Sequence, residues 1–324
     1  MPGPGSPETG DVRERVSSLA RLPRLFVGNP ADAQVATSGG ALLMGGGQDV
    51  DDAFRWMLAR CAGGDVVVLR TAGTDAYNRY LFSLGHVDSV ETLFVSSRET
   101  AADPRIAMLV RQAEAIFITG GDQAEYIRAW AGTPLASALG WAVEHGAVIG
   151  GTSAGLMVLS EFVFAASAGT VSSTEALADP YSPRVTLVRS PFPLAMLHDV
   201  VGDSHFAARD RMGRLVAFMA RCAADGWSAA PRGLGVDEAT ALLVEPDGRA
   251  AVVGAGAVYA LDAAAGPESC RPGQPLTWRG VRVARLRNQA VLEVPTWTAE
   301  GADVYTISVV GGILSGDTSG VYVR

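Results

Sequence analysis

The sequence predicts an α/β protein: a doubly wound, mostly parallel sheet with antiparallel strands added from about residue 233. Three observations carry that expectation. Continuously apolar runs recur from residue 40, in GALLMGGG, DVVVLRTAG, SVETLFVSS, AIFITGGD and GAVIGGTS, and unbroken apolar character marks strands buried on both faces. Helical patterns separate them, in DVDDAFRWMLARC, TDAYNRYLFSLG, DPRIAMLVRQA and the long AEYIRAWAGTPLASALGWAVEHG. Strands alternating with helices imply parallel pairing through right-handed crossovers. After about residue 232 the texture changes. LGVDEATALLVE, RAAVVGAGAVYALDA, LTWRGVRVARLR and DVYTISVVGG read as strands joined by turns, expected at one end of the same sheet.

The chain is long enough to bury a substantial core, with 324 residues of which 48% are hydrophobic and 19% charged. Residues 1–38 are expected to be a tail and extension. The Pro- and Gly-rich first dozen should be disordered, and one extended piece, RLFVGNP, follows. Residues 39–324 read as a single domain, since no Pro/Ser-rich linker divides them and no repeat is evident. A net charge of −8 disfavours a general nucleic-acid or anionic-membrane surface. Three scattered cysteines suit a reducing compartment better than a disulfide framework. No basic-then-apolar leader opens the chain, and no apolar run approaches the roughly 18 residues of a membrane span. A cytoplasmic location is the expectation.

Chemistry concentrates at glycine-rich corners. Gly151-Thr152-Ser153-Ala154-Gly155 matches G-x-S-x-G between an apolar strand and an apolar helix, the context a nucleophile elbow requires. There the serine sits in a strained turn, and the Ala154 amide faces the position of a developing oxyanion. The bland alternative is a tight turn with Ser153 as helix cap, or a phosphate cradle. A second corner, FITGGDQ at 117–123, should lie beside the first, because parallel strands end at one shared edge. An amide at Gly120 or Gly121 could supply a second oxyanion donor, and Gln123 could reach a substrate. Asp122 could equally be a helix cap.

A serine nucleophile calls for a base, and the chain has four histidines. His86 lies in a turn, His145 ends a helix where a dipole-favoured imidazole is common, and His198 is ambiguous. His205 stands in GDSHFAARDRMGRLVAFM, with a helix expected after it. On that helix Arg209 would fall one turn on, near the apolar face of Met212, Val216 and Met219. A charge so placed suits a carboxylate ligand, although arginines also snorkel to water from ordinary helix starts. The available order is Ser153, His205, then Asp237 or Glu238. It differs from the α/β-hydrolase order, in which histidine comes last. No HxH, HExxH or His/Cys cluster points to a metal.

Four ordered motifs, TGGDQ (119–123), GGTSAG (150–155), GDSHFAARDRMGRL (202–215) and GLGVDEATAL (233–242), resemble the cyanophycinases. Those belong to a serine peptidase family that also contains aspartyl dipeptidase (peptidase E). The resemblance spans roughly residues 40 to 300. It implies a class I glutamine-amidotransferase-like sheet, with serine replacing the cysteine nucleophile of that fold. Ser153 would attack the peptide carbonyl, His205 move the proton and Glu238 orient His205, with Asp237 the fallback acid. Gly121 and Ala154 would form the oxyanion hole, and Gln123, Asp203, Arg209, Arg211 and Arg214 would contact substrate. No cofactor, metal, nucleic acid or membrane is implied, and a homodimer is. Cyanophycinases release β-aspartyl-arginine dipeptides from an aspartate-backbone polymer, and peptidase E cleaves after N-terminal aspartate.

Two departures concern the substrate pocket. Asp203-Ser204-His205-Phe206 stands where cyanophycinases carry DQHF, and LRTAGTDAYNRY replaces a more usual IPTAS, which would put Tyr77 and Asn78 at the rim. The leading expectation is therefore an aspartyl or isoaspartyl serine exopeptidase. The alternatives are a noncatalytic binder of acidic peptides on the same fold and a pathway-specific peptidase or acyltransferase.

Overall fold

The computed structural model describes residues 25–316 and 320–322; the tail expected over the first dozen residues lies outside them. The alternating half begins with strand β1 (Leu25–Gly28), from the RLFVGNP piece, and β2 (Ala41–Met44). It continues through β3 (Asp65–Arg70), β4 (Ser89–Phe94), β5 (Ala115–Ile118) and β6 (Val148–Thr152). β2 to β6 are the five apolar runs of the sequence, and they pair in parallel in the order β4-β3-β5-β6-β2. Side chains alternate between two buried faces. Leu42, Met44, Val66 and Val68 meet Phe54 and Met57 of helix Asp51–Arg60 on one face. Ala41, Leu43, Val67 and Leu69 join the other core, with helices Pro104–Gln112 and Pro134–Glu144.

The long helical stretch of 124–146 is not one helix. It divides into Gln123–Trp130 and Pro134–Glu144. Gly132 between them has φ +65°, and Pro134, lacking an amide hydrogen, can start a helix but not continue one.

The C-terminal half differs more from expectation. Its strands do not all extend one end of the sheet. β11 (Thr240–Val244), β12 (Arg249–Gly254), β15 (Val291–Glu293) and β16 (Thr298–Glu300) add antiparallel beyond β2, completing a ten-stranded sheet. A second, eight-stranded sheet contains β7 (Phe162–Phe164), β8 (Leu187–Arg189), β9 (Val200–Asp203) and β10 (Arg232–Val236). It is completed by β13 (Val258–Ala263), β14 (Trp278–Leu286), β17 (Asp303–Val310) and β18 (Ile313–Gly316). Thus LGVDEATALLVE is two strands in different sheets, joined by Asp237, Glu238 and Ala239. Turn signals mark where a strand ends but carry nothing about which sheet receives the next one. Helix Met212–Ala224 packs its buried face on the second sheet, and one core cluster runs from β3 through the helix Ala154–Leu159 into β10, β13 and β14.

Candidate active site

The site forms where the carboxyl ends of β5, β6 and β2 meet those of β9 and β10. β6 lies between β5 and β2 in the sheet, so the turns after those three strands are neighbours. Ser153 follows β6 and has φ 54° and ψ −115°, a strained conformation for a residue with a side chain. The flanking glycines are there for space. A Cβ on Gly151 would strike the Gly155 backbone, and one on Gly155 would strike the Ile118 carbonyl oxygen. Only hydrogens at those positions let helix Ala154–Leu159 close onto the strands.

Ser153 Oγ stands 2.7 Å from His205 Nε2, and His205 Nδ1 stands 2.6 Å from Glu238 Oε1. His205 follows β9 and Glu238 follows β10, strands that pair in parallel, so adjacent strand ends deliver both groups. The His205 amide donates to the Gly45 carbonyl (2.8 Å), the Ala239 amide to the Gly46 carbonyl (2.9 Å) and the Ser153 amide to the Met44 carbonyl (3.0 Å). The turn after β2 thereby links all three groups. Gly46, at φ +90°, lies directly under the imidazole: a Cβ there would come within 2.6 Å of the ring. Motif reasoning misses this turn, although three glycines after an apolar strand, in GALLMGGG, are a signal of it.

Burial favours the neutral imidazole and holds His205 below the usual histidine value, opposed by the hydrogen bond to Glu238 and reinforced by the charges of Arg209 and Arg211. The bond to His205 lowers Glu238 in turn. A neutral imidazole with its Nδ1–H turned to a carboxylate leaves Nε2 free to accept the serine proton. Asp237 is engaged elsewhere: its carboxylate accepts from the amides of Ala207 (2.8 Å) and Ala257 (3.1 Å). Burial nevertheless raises it. It braces the turn that carries His205 and does not reach the ring.

Ala154 opens its helix, and Gly121 lies in the turn after β5; among the described residues neither amide has an acceptor within the protein. That turn approaches the serine closely enough that a Cβ on Gly120 would stand 3.5 Å from Ser153 Cβ. Asp122 caps helix Gln123–Trp130 by accepting from the Ala124 amide at 2.9 Å. Gln123 Nε2 donates to the Phe164 carbonyl at 3.3 Å.

Beside these turns opens a cleft of about 570 Å³ whose lining includes Gly121, Gln123, Arg184, Arg209, Arg211 and Arg214. Asp203, expected to contact substrate, is fully buried beneath it. Its carboxylate accepts Arg214 Nε at 2.7 Å and Nη2 at 2.6 Å, and Arg211 Nη1 at 3.1 Å. Asp203 therefore fixes two arginines and does not face the cleft. Burial pushes Arg211 down to about 10, still charged at neutral pH. Arg209 is exposed and is not on a helix. The helix starts only at Met212, because residues 204–211 form a turn with positive φ at His205 (47°) and Asp210 (48°).

Asn78 is withdrawn from the rim: it is buried, donating to the Leu25 carbonyl (2.6 Å) and accepting from Thr92 (2.6 Å). Half-buried Tyr77 donates to Asp49, just beyond the glycine turn after β2. His145 caps the C-terminal end of its helix and stacks on Trp141 at 3.8 Å. Glu161, His198 and Asp199 are the one group of possible metal ligands among the described residues. Glu161 is already held by Arg189 (2.7 Å) and by the Asp199 amide (2.7 Å). A second cavity, of about 220 Å³, adjoins the amino ends of β3 and β4, at the sheet edge opposite the serine.

A serine on a strand-to-helix elbow, linked through imidazole to a carboxylate, is the arrangement of serine-nucleophile hydrolases on α/β sheets. Residues 35–250 match the model of peptidase family S51, and the chain belongs to that family. The cyanophycinase of Synechococcus elongatus is 34% identical over 179 residues, covering 54% of this chain and 50% of that protein. The chain thus spans about half the length of this curated relative. The cyanophycinase of Geminocystis herdmanii is 31% identical over 211 residues, 62% of this chain and 72% of that one. Among solved structures, a peptidase from an acI-B1 actinobacterium superposes with a TM-score of 0.53 at 18% identity, over 80% of this chain and 98% of its own. That likeness concerns the fold. No helix among the described residues is long and apolar enough to cross a membrane.

Proposed function

We propose that the protein is a serine peptidase that hydrolyses aspartyl or β-aspartyl peptide bonds through Ser153, His205 and Glu238, with its parallel half of the class I glutamine-amidotransferase type. The observation that carries this reading is the unbroken relay from Ser153 Oγ to His205 (2.7 Å) and on to Glu238 (2.6 Å), set on a strained elbow. Ser153 Oγ attacks the scissile carbonyl carbon while its proton passes to His205 Nε2. The carbonyl oxygen, now anionic, accepts from the Gly121 and Ala154 amides. His205 returns the proton to the departing amine, leaving an acyl-enzyme ester. Water attacks the ester, giving its proton to His205, which passes it to Ser153 Oγ as the acyl–oxygen bond breaks and the acid product leaves.

Substrate class follows from the cleft. Its volume, about 570 Å³, lies within the roughly 300–1,000 Å³ that suits a small ligand. Exposed Arg209, with Arg211 beside it, offers donors to carboxylates, as an aspartyl residue with its free carboxylate requires. Buried Arg214 is spent on Asp203, Thr170 and Val171. Cyanophycin or a related acidic peptide is the candidate substrate. The two curated relatives named above are cyanophycinases, whereas Ser204 stands where a glutamine arm is usual. The test is a panel of α- and β-aspartyl peptides plus cyanophycin, assayed with the native protein and Ser153→Ala. Turnover of aspartyl peptides by the native protein should fall at least about 10³-fold in the variant with melting unchanged. Retained turnover in pure Ser153→Ala would refute the mechanism, and a uniformly inactive native protein would refute the substrate class.

A further inference from the structure

The turn 205–211 carries His205, Arg209 and Arg211, yet its backbone is strained at both ends. His205 and Asp210 have φ of 47° and 48°, and such conformations persist only where the surroundings over-determine them. The His205 end is well held. The amides of His205, Phe206 and Ala207 donate to the Gly45 carbonyl (2.8 Å), the Val236 carbonyl (3.2 Å) and Asp237 (2.8 Å). The arginine end leads into helix Met212–Ala224, whose N-cap residue, Arg211, provides no side-chain cap. First-turn amides of a helix lack acceptors of their own.

Two side chains supply acceptors. Ser173 Oγ, which also donates to the Asp210 carbonyl, accepts the Arg214 amide at 3.1 Å, and from 110 residues away the Tyr322 hydroxyl accepts the Met212 amide at 2.7 Å. Burial holds Tyr322 above the usual tyrosine value, and the nearby Asp210 carboxylate raises it further. The Tyr322 ring packs edge-on against Phe206 (centroids 6.0 Å apart) and Tyr259 (5.8 Å). Phe206 is itself wedged against Gly235, where a Cβ would come within 2.6 Å of the ring. Tyr305 fastens the segment by donating its hydroxyl to the Val321 carbonyl at 2.7 Å. Tyr322 lies beyond the family-matched residues, 35–250.

We propose that Tyr322 is a positioning residue: its hydroxyl caps the Met212 amide and so helps to set Arg209 and Arg211 at the cleft. The proposal rests on the reading of that cleft as the carboxylate-binding part of the site. Because His205 is anchored independently through Gly45 and Asp237, the effect falls on substrate binding more than on the chemical step.

The test uses Tyr322→Phe, which keeps the ring packing and removes only the hydroxyl, with Tyr322→Ala for comparison. Two readouts are taken on the full chain, steady-state kinetics with a β-aspartyl peptide and amide hydrogen exchange by mass spectrometry. Tyr322→Phe should raise KM about fivefold, the worth of one hydrogen bond, with kcat within about twofold, and should speed exchange within 206–212 alone. Unchanged KM in an active protein overturns the proposal, as does unchanged exchange in that turn. Faster exchange throughout the chain in Tyr322→Phe would make Tyr322 a general packing residue and would overturn it too. If the native protein cleaves no aspartyl peptide, the substrate reading fails, and exchange alone decides the role of Tyr322.

Discussion

The two halves of the site are built differently. On the Ser153 side, position comes from steric closeness within one sheet. Adjacent parallel strands end together, and glycines at 151 and 155 let helix Ala154–Leu159 press onto them. On the His205 and Glu238 side, position comes from hydrogen bonds between distant segments. Gly45 and Gly46 carbonyls receive amides from residues 205 and 239, and Asp237 receives those of 207 and 257. The first construction fails when atoms are added. The second fails when a donor or acceptor is lost.

Gly46 belongs to both constructions, and its substitution should have the largest effect. Gly46→Ala forces a side chain into φ +90° and against the His205 ring, with only 2.6 Å available. The ring must move or the turn must open. Either breaks the relay, and kcat/KM should fall about 10³-fold or more, with about 1–3 kcal/mol of stability lost. Kinetics together with thermal melting check this. Activity within tenfold of native would mean that the glycine turn does not set the imidazole.

Glu238→Gln should do less. The amide can still accept from Nδ1–H, but it no longer stabilises the imidazolium that forms as Ser153 reacts. The Glu238 side chain is 42% exposed, so solvent screens part of its charge, and we expect kcat/KM to fall about 10²- to 10³-fold. A fall equal to that of Ser153→Ala would show a carboxylate better insulated from water than its exposure indicates.

The same contrast explains what the sequence could show. The elbow at Ser153 and Ala154 and the neighbouring glycine corner were legible as elements because strand, turn and helix follow one another within a few residues, although the pattern left Gly120 and Gly121 open. The partnership of β9 and β10 was not legible, since no local pattern tells which sheet a turn-linked strand will join. Motif order still placed His205 before Glu238, but left Asp237 as an alternative. Only the fold shows its carboxylate occupied by two amides. Asp203, a substrate contact by resemblance, has no local signal for its burial, and in the fold it anchors Arg211 and Arg214. The expected helix start near Arg209 failed on two left-handed residues, neither of them glycine, that a propensity argument does not foresee. Tyr322 had no sequence signal, because its partners lie 110 residues earlier.

The smallest expected effect bears on the junction of the two halves, through protonation of His205. Burial first, then Arg209 and Arg211, favour the neutral ring over the charged one. The folded value is therefore below the unfolded 6.5. The stability this contributes is complete above the unfolded value and is lost as pH falls through the folded one. Reactivity of Ser153 should follow the same neutral form. Removing one nearby positive charge, in Arg209→Gln, should move the midpoint up toward 6.5 by a few tenths of a pH unit, on the order expected for a screened charge.

The most direct test of the relay is the pH dependence of fluorophosphonate labelling, with the modified residue located by mass spectrometry. A relay through His205 requires a single adduct on Ser153, formed at a rate that rises with pH to a plateau. The midpoint should lie below 6.5 and shift upward in Arg209→Gln. Labelling at another residue, or a Ser153 rate indifferent to pH through that range, would contradict the relay.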